Sequence, residues 1–425
     1  VDGEQSLTFE PMALKNDVRL LFATRIVRLF AYGFLSVVLL LYLTELGLSD
    51  NRIGLLLTLT LAGDTVISLA ITTTADRIGR KSMLLCGSVL VIFAGILFAS
   101  TSNFLLLLIA ATIGVISPSG NEVGPFLSIE QAALSQLISS EQRTHIFALY
   151  NLSGSFATAL GALAGGALAQ WLQNGGMPPL ASYRIIVIVY AAIGGMLSLM
   201  FVFLSPLAEV QVAREDRASR EPKARTNRIY ERLGLPRSGP IVFKLSTLFA
   251  LDAFAGGFIL QSIVAYWFHI RYGVQPGILG AIFFGGNILA GLSALSASWL
   301  AKRIGLINTM VFTHIPSNIL LIMVPLMPNL QLAILMLLLR FSISQMDVPT
   351  RQSYTMAVVD PEERSAAGGV TGVARSAGSS IAPAIAGKLL SASMLNAPFF
   401  ICGSLKMVYD LLLYRSFRGG TNTRL

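Results

Sequence analysis

The sequence predicts an all-α membrane protein of twelve transmembrane helices, arranged as two pseudo-symmetric six-helix bundles. Three observations carry this reading: composition, the spacing of apolar runs, and an internal repeat. Of 425 residues, 54% are hydrophobic and only 12% are charged, and the mean hydropathy is +0.69. A soluble domain wets its surface with about 25% charged residues. At half that content, most of the surface must face lipid.

A helix crosses the hydrocarbon core in about 20 residues, rising about 1.5 Å per residue. Apolar runs of that scale are expected as helices at 20–46, 51–75, 82–100, 103–131, 143–172, 182–206, 241–270, 275–300, 306–327, 329–357, 363–390 and 394–416. Several connections are very short, such as Leu48-Ser49-Asp50 and Thr101-Ser102. Backbone in lipid must satisfy its own hydrogen bonds, which favours helices, and the period-2 alternation of a barrel is not evident. One long break, Ala208 to Gly239, carries Arg214, Arg217, Arg220, Lys223, Arg225, Arg228, Arg232 and Arg237. It reads as a solvated basic linker, with an interfacial amphipathic helix as the alternative. The chain therefore divides into an N-terminal bundle (1–206), a linker (207–239) and a C-terminal bundle (240–425).

The net charge of +9 is unevenly spread. Even-numbered connections hold Arg77, Arg80, Lys81, Arg143, the linker, Lys302, Arg303 and Arg364, whereas odd-numbered ones hold chiefly Arg52, Arg184 and Arg271. The positive-inside rule then puts both termini and the linker in the cytoplasm, with the chain in a plasma or inner cell membrane. So segregated a charge argues for topology and against nucleic acid. Cys86 and Cys402 lie in apolar runs, and His145, His269 and His314 have no metal-ligand spacing, so neither cofactor nor metal is expected. The stretch Val1 to Asp17 lacks the pattern of a cleaved signal peptide. There is no G-x-x-x-x-G-K-[ST] phosphate loop, which argues against ATP-driven work within the chain. No nucleophile–base pair or H-E-x-x-H spacing suggests an enzyme.

The two halves resemble each other. Ala75-Asp76-Arg77-Ile78-Gly79 recurs as Ala301-Lys302-Arg303-Ile304-Gly305, and the same offset of 226 pairs Gly54 with Gly280 and Asn103 with Asn329. An offset of 221 pairs Gln131 with Gln352, Glu141 with Glu362, Arg143 with Arg364 and Gly166 with Gly387. This is the pattern of a parallel duplication, with a solute site where the halves meet near the bilayer midplane.

Thr72 to Lys81, T-T-T-A-D-R-I-G-R-K, resembles the loop 2–3 signature of the major facilitator superfamily, G-x-x-x-D-R-x-G-R-K, with Thr72 in place of the glycine. The resemblance extends over nearly the whole chain in span count, central loop and repeat. It implies the major facilitator fold and a cytoplasmic gate of Asp76, Arg77, Gly79 and Arg80, with Arg303 in the repeat. Asp76 would face a helix N-terminus of the opposite half, where orphan N–H groups favour an anion. Arg80 would pair with an acid at the inner end of span 4, for which Glu130 is positioned. The span 5 signature of proton-coupled antiporters, G-P-x-x-G-G, is partial. Gly161-Ala162-Leu163-Ala164-Gly165-Gly166 lacks the proline, whereas Ala382-Pro383-Ala384-Ile385-Ala386-Gly387 keeps it. The span 4 arginine motif of antiporters is missing, with Ala110 and Ile113 at its positions.

Ionisable residues inside spans are costly and are functional candidates. Arg25, Arg28 and Tyr32 share one face of span 1. Arg25 is expected to snorkel to the inner interface, and Arg28 to reach the cavity. Aligning Ala31, Gly33 and Phe34 with Ala255, Gly257 and Phe258 sets Asp252 opposite Arg28 in the repeat, and the two are expected near the pseudo-twofold axis as a pair. Asp64, near the middle of span 2, is either paired with an arginine or protonated. Arg340, Ser344 and Asp347 form a stripe on span 10, and Ser117, Asn121 and Glu122 lie beside Pro118 and Gly120 on span 4. The resemblance implies that spans 1, 4, 7 and 10 line the cavity. Substrate-binding candidates are then Arg28, Asn121, Glu122, Asp252, Gln261 and Arg340; Gln261 has a helix–helix hydrogen bond as its alternative role. Proton-coupling candidates are Asp64, Glu122, Asp252 and Asp347.

The expected activity is secondary transport of a small organic solute by alternating access, proton-coupled, by a monomer in the lipid bilayer. Efflux of amphiphilic compounds is the first expectation, and uptake or exchange of an organic anion the second. A membrane solute sensor that moves nothing is the alternative of another class.

Overall fold

The computed structural model describes residues 6–138, 143–209, 230 and 233–417, and all regular structure among them is helical. Most of the basic linker, and the Glu141–Glu362 pairing of the repeat, therefore fall on residues outside those described.

The first expected span is bent. Helix α1 (Ser6–Ser36) and helix α2 (Leu39–Glu45) meet at 44°. Helices α3 (Asp50–Ile78) and α4 (Arg80–Ser100) are joined by Gly79 alone, at φ 114°. In the other half, α11 (Pro276–Ile304) and α12 (Leu306–Met323) are joined by Gly305 alone, at φ 86°. Only glycine adopts such a conformation without strain. The repeat read from sequence thus reappears as a repeated turn.

Three expected spans are interrupted rather than continuous. Span 4 is α5 (Phe104–Ile113), an irregular stretch, and α6 (Phe126–Leu137). Helices α7 (Arg143–Asn174) and α8 (Pro179–Val202) complete the first half. Span 7 is α9 (Gly239–Gly256) and α10 (Gln261–Tyr272), joined by a 3-10 turn. Span 10 is α13 (Leu330–Phe341) and α14 (Asp347–Val358), followed by α15 (Arg364–Ser391) and α16 (Ala397–Phe417). Among the described residues, eight helical segments, the interrupted span 7 included, are long and apolar enough to cross a membrane, or nine if the bent first pair is one span. The remaining expected spans are the interrupted fourth and tenth, whose helices are short, and α15, whose apolar residues are diluted by charge, glycine and serine.

The break in span 4 follows from Pro118, Gly120 at φ 71°, Gly124 at φ 80° and Pro125. Irregular backbone at membrane depth survives only if protein satisfies it, and here each strand of that argument has a residue. Asp64 accepts from the Gly124 N–H at 2.6 Å, and Ser117 Oγ donates to the Asn121 carbonyl at 2.6 Å. Tyr32 and Tyr190 donate to the carbonyls of Val123 and Val115 at 3.1 and 2.7 Å. The Ser262 N–H, from α10, donates to the Pro118 carbonyl at 3.1 Å. Asp64 is thus neither an arginine's partner nor a cavity residue; it caps unwound backbone.

Within the first half α1 packs on α7 and α4 on α8; within the second, α9 packs on α15 and α12 on α16. The halves meet where α7 crosses α11 and α3 crosses α15. Glycines make both crossings close. A Cβ on Gly54 would lie 2.5 Å from the Pro383 oxygen and 2.9 Å from Gly387 Cα; one on Gly166 would lie 2.3 Å from the Pro276 oxygen and 2.8 Å from Gly280 Cα. Small residues let helix backbones touch. Repeat-related Gly54 and Gly280 thus each meet one of the repeat-related pair Gly387 and Gly166. Both contacts lie at the end of the molecule away from Gly79 and Gly305, since they fall at the starts of α3 and α11 and the ends of α7 and α15.

Replacing Gly387 by leucine must separate α3 from α15 at that end. Spin labels at the exposed positions Asn51 and Ser391 are expected to move apart in Gly387→Leu relative to the parent protein. An unchanged distance distribution would contradict the assignment of this contact as the closed end.

Candidate functional site

Between the halves lies a cavity of about 770 Å³. It begins beneath the glycine contacts and extends past Ala148, Leu295 and Gln352, towards the end that carries Gly79 and Gly305. Asn121, Glu122, Asp252, Gln261, Arg340 and Asp347 all line it, as the sequence implies. Arg28 does not: it is 1% exposed and lies behind the cavity wall.

The N-terminal half neutralises its buried charges by a four-residue lock. Arg28 donates through Nε to Glu122 at 2.9 Å, and through Nη1 and Nη2 to the two Glu130 oxygens at 2.7 Å each. Arg25 donates to Glu122 at 2.8 Å and to Asn151 Oδ1 at 3.2 Å. Thr24 and Tyr150 hydroxyls also donate to Glu130, which is fully buried. The guanidinium carbons of Arg28 and Arg25 lie 4.6 Å and 4.4 Å from the ring centres of Phe126 and Tyr150. Fork-to-fork geometry of this kind gives a strong charge-assisted pair.

The C-terminal half is built around one acid. Asp252 accepts from Lys406 Nζ at 2.5 Å, Arg375 Nη1 at 3.1 Å and Arg351 Nη1 at 3.3 Å. Arg351 also donates to Asp347 at 2.8 Å. His314 Nε2 stands 4.0 Å from Asp252, while its Nδ1 is 2.8 Å from Asp410, which also accepts from Asn318 at 3.3 Å.

Several sequence expectations are corrected here. Arg28 and Asp252 do not pair; each is claimed by opposite charges of its own half. Glu130 does not pair with Arg80, because it lies under Arg28. Arg80 instead donates to Gln136 at 2.8 Å and to the Ala208 carbonyl at 3.2 Å. Arg25 is 5% exposed and does not snorkel. Gln261 donates to Ser36 at 2.8 Å and accepts from Asn287 at 3.1 Å, so it ties three spans together at the cavity roof. Among the gate residues, Gly79 makes the turn described above. The Glu209 carboxylate lies against it and accepts the N–H groups of Arg80 and Lys81 at 2.6 and 3.0 Å, capping the start of α4. Arg303 stacks on Trp299 of its own helix at 4.0 Å. The side chains of Asp76 and Arg77 lie outside those described.

Arg351, Arg375, Lys406, His314 and Asp410 are the functional candidates that the reading of motifs missed. Each falls within an expected span, so the rule that ionisable residues in spans are functional candidates would have found them.

Comparison with known proteins agrees with this architecture. Residues 21–383 match the Major Facilitator Superfamily. An uncharacterized membrane protein of Saccharomyces cerevisiae, YJR124C, is 30% identical over 95% of this chain and 94% of its own length. Among solved structures, the nucleoside transporter NupG aligns with a TM-score of 0.71 at 14% identity, covering 95% of this chain and 99% of that one. A bacterial homologue of the iron transporter ferroportin, in an inward-facing state, aligns at 0.71 and 13% identity over 94% and 98% of the two chains. The human organic anion transporter MFSD10 aligns at 0.57 and 17% identity over 94% and 99%.

The fold and its central cavity are those of a multi-pass membrane carrier for a small molecule. The chain belongs to the major facilitator superfamily and is a secondary transporter.

Removing one partner of a buried ion pair costs about 3–5 kcal/mol, whereas replacing both is often neutral. Glu130→Leu is therefore expected to lower the unfolding free energy in detergent by about that amount. Arg28→Met combined with Glu130→Leu should recover most of the loss. A double variant no more stable than the single one would contradict the lock.

Proposed function

We propose that the chain carries an organic anion, a carboxylate or a phosphate ester, through the central cavity. One observation carries this: the charged lining is cationic in excess, and one of its cations is unspent. Arg25, Arg340, Arg351, Arg375 and Lys406 outnumber Glu122, Asp252 and Asp347 by two. Arg340 forms no ion pair among the described residues, and its buried Nε has no hydrogen-bond partner. Arg375 spends one nitrogen on Asp252 and keeps a third of its side chain exposed. Planar guanidinium groups suit carboxylate and phosphate oxygens, and a cavity of this volume suits a molecule of drug size. Behind the wall, Glu130 is neutralised by Arg28, and Asp410 meets His314 Nδ1 at 2.8 Å. MFSD10 indicates that the fold tolerates such cargo; the charge balance is what favours it here.

This reading takes the organic anion over the efflux of amphiphilic compounds. Positive charge on the even-numbered connections supports cytoplasmic termini. The cavity would then face the cytoplasm, with the glycine contacts closing the outer side and the halves rocking about the central site.

Thermal unfolding of the purified protein provides the test, with benzoate, phenyl phosphate and tetraphenylphosphonium as probes. A ligand that binds only the folded state raises stability, by about 2.7 kcal/mol at 100 times its dissociation constant. At least one anion should raise the unfolding temperature and the cation should not. Arg340→Ala should weaken that anion by about 10- to 100-fold, the worth of a hydrogen bond to a charged group. Stabilisation by the cation alone would overturn the proposal.

A further inference from the structure

We propose that His314 and Asp410 form a proton site that binds one proton with each anion, so that the carrier runs as an anion–proton symporter. This rests on the anion reading above.

The pair stands apart from the other buried acids in having a nitrogen left over. Glu122 is held by two arginines, Glu130 by Arg28 and Asp347 by Arg351, whereas Asp64 accepts the Gly124 N–H and lies outside the cavity lining. Asp410 accepts from Asn318 through Oδ2 and sets Oδ1 against His314 Nδ1 at 2.8 Å; with that carboxylate ionised, Nδ1 is the nitrogen that carries the hydrogen. Nε2 is then the nitrogen that gains or loses a proton. His314 lines the cavity, whereas Asp410 is fully buried behind it. A proton from cavity water can therefore reach Nε2, while Asp410 stabilises the imidazolium from the far side.

The groups facing His314 define the coupling. Helix α16 contributes Asp410, Lys406 and Tyr409, whose ring centre is 6.1 Å away. Helix α9 contributes Asp252, with Nε2 at 4.0 Å. Through Asp252 the site feels Arg351 and Asp347 of α14 and Arg375 of α15. Arg340 of α13 lines the same cavity, and α11 adds only uncharged groups to it. Asp252 is thus shared between the proton site and the anion site. An anion that engages Arg375 draws it from the Asp252 oxygen it now touches. The carboxylate is left with one cation fewer, and a proton bound at Nε2, 4.0 Å away, restores the balance. When the anion departs, Arg375 returns to Asp252 and the Nε2 proton leaves to cavity water. One N–H bond forms and the same bond breaks in each cycle.

The test uses the purified full chain in weakly buffered detergent solution near pH 7.5, with the anion, benzoate or phenyl phosphate, that stabilises it more. A pH-indicator dye follows proton uptake, and nitrogen NMR of labelled histidine follows the rings. The chain has only three histidines, so His314→Gln assigns the resonance. The expected result is about one proton taken up per bound anion, with the His314 ring passing from singly to doubly protonated. Uptake per bound anion should fall at least tenfold in His314→Gln and also drop in Asp410→Asn. Anion stabilisation with no proton uptake, or uptake that persists in His314→Gln, would overturn the proton site and leave the anion reading standing. Absence of stabilisation by any anion would remove both.

Discussion

A charge in hydrocarbon must be neutralised where it stands, and that constraint organises this molecule. Both halves obey it with the same two helices and the opposite polarity. In the first half the cation Arg28 comes from span 1 and the acid Glu130 from span 4, joined at 2.7 Å. In the second half the acid Asp252 comes from span 7 and the cation Arg351 from span 10, at 3.3 Å. The sequence offsets that relate the halves, 224 for Arg28 and Asp252 and 221 for Glu130 and Arg351, make these the same positions with their charges exchanged. The first lock is balanced, two cations against two acids, and only its Arg25 and Glu122 reach the cavity. The second is over-supplied with cations and open to it. Duplication has thus kept the geometry of an ion pair while exchanging its polarity, and the solute chemistry proposed above rests on the half with more cations.

The interrupted spans are the second consequence of a dry surrounding. Helices at spans 4, 7 and 10 break beside the cavity, and each break must find partners for its backbone. Asp64, Ser117, Tyr32 and Tyr190 serve span 4 in this way. Their polar groups are therefore occupied, which leaves the cavity lining to supply the chemistry. The glycine crossings of α3 with α15 and α7 with α11 then fix where the halves touch, and the cavity extends from there towards the other end.

Much of this was legible in the chain. Composition and run length identify a membrane protein, and the offsets 226 and 221 identify a duplication. Paired turns at Gly79 and Gly305 and the crossed glycine contacts bear that duplication out. The loop at Thr72 to Lys81 pointed to the superfamily. Partner choice was not legible, because it depends on helix rotation that a linear pattern does not fix. Arg28 and Asp252 align in the repeat, yet each turns to its own half. Arg80 and Glu130 are both expected at one end of the bundle, yet Glu130 faces Arg28. Pro118 and Gly120 hinted at a loosened helix, but only the structure shows the full break between Ile113 and Phe126. Arg375 and Lys406 lie on spans 11 and 12, outside the spans 1, 4, 7 and 10 that the resemblance assigns to the cavity, yet both line it.

The central claim is that surplus positive charge in the cavity selects anions for transport. Counterflow in proteoliposomes tests it directly, since exchange of labelled for unlabelled solute requires carriage across the bilayer and no net driving force. Vesicles loaded with unlabelled phenyl phosphate or benzoate should accumulate the labelled form transiently, and those with the Arg340→Ala plus Arg375→Ala variant should not. Equal counterflow by that variant, or counterflow of tetraphenylphosphonium in place of both anions, would contradict the account.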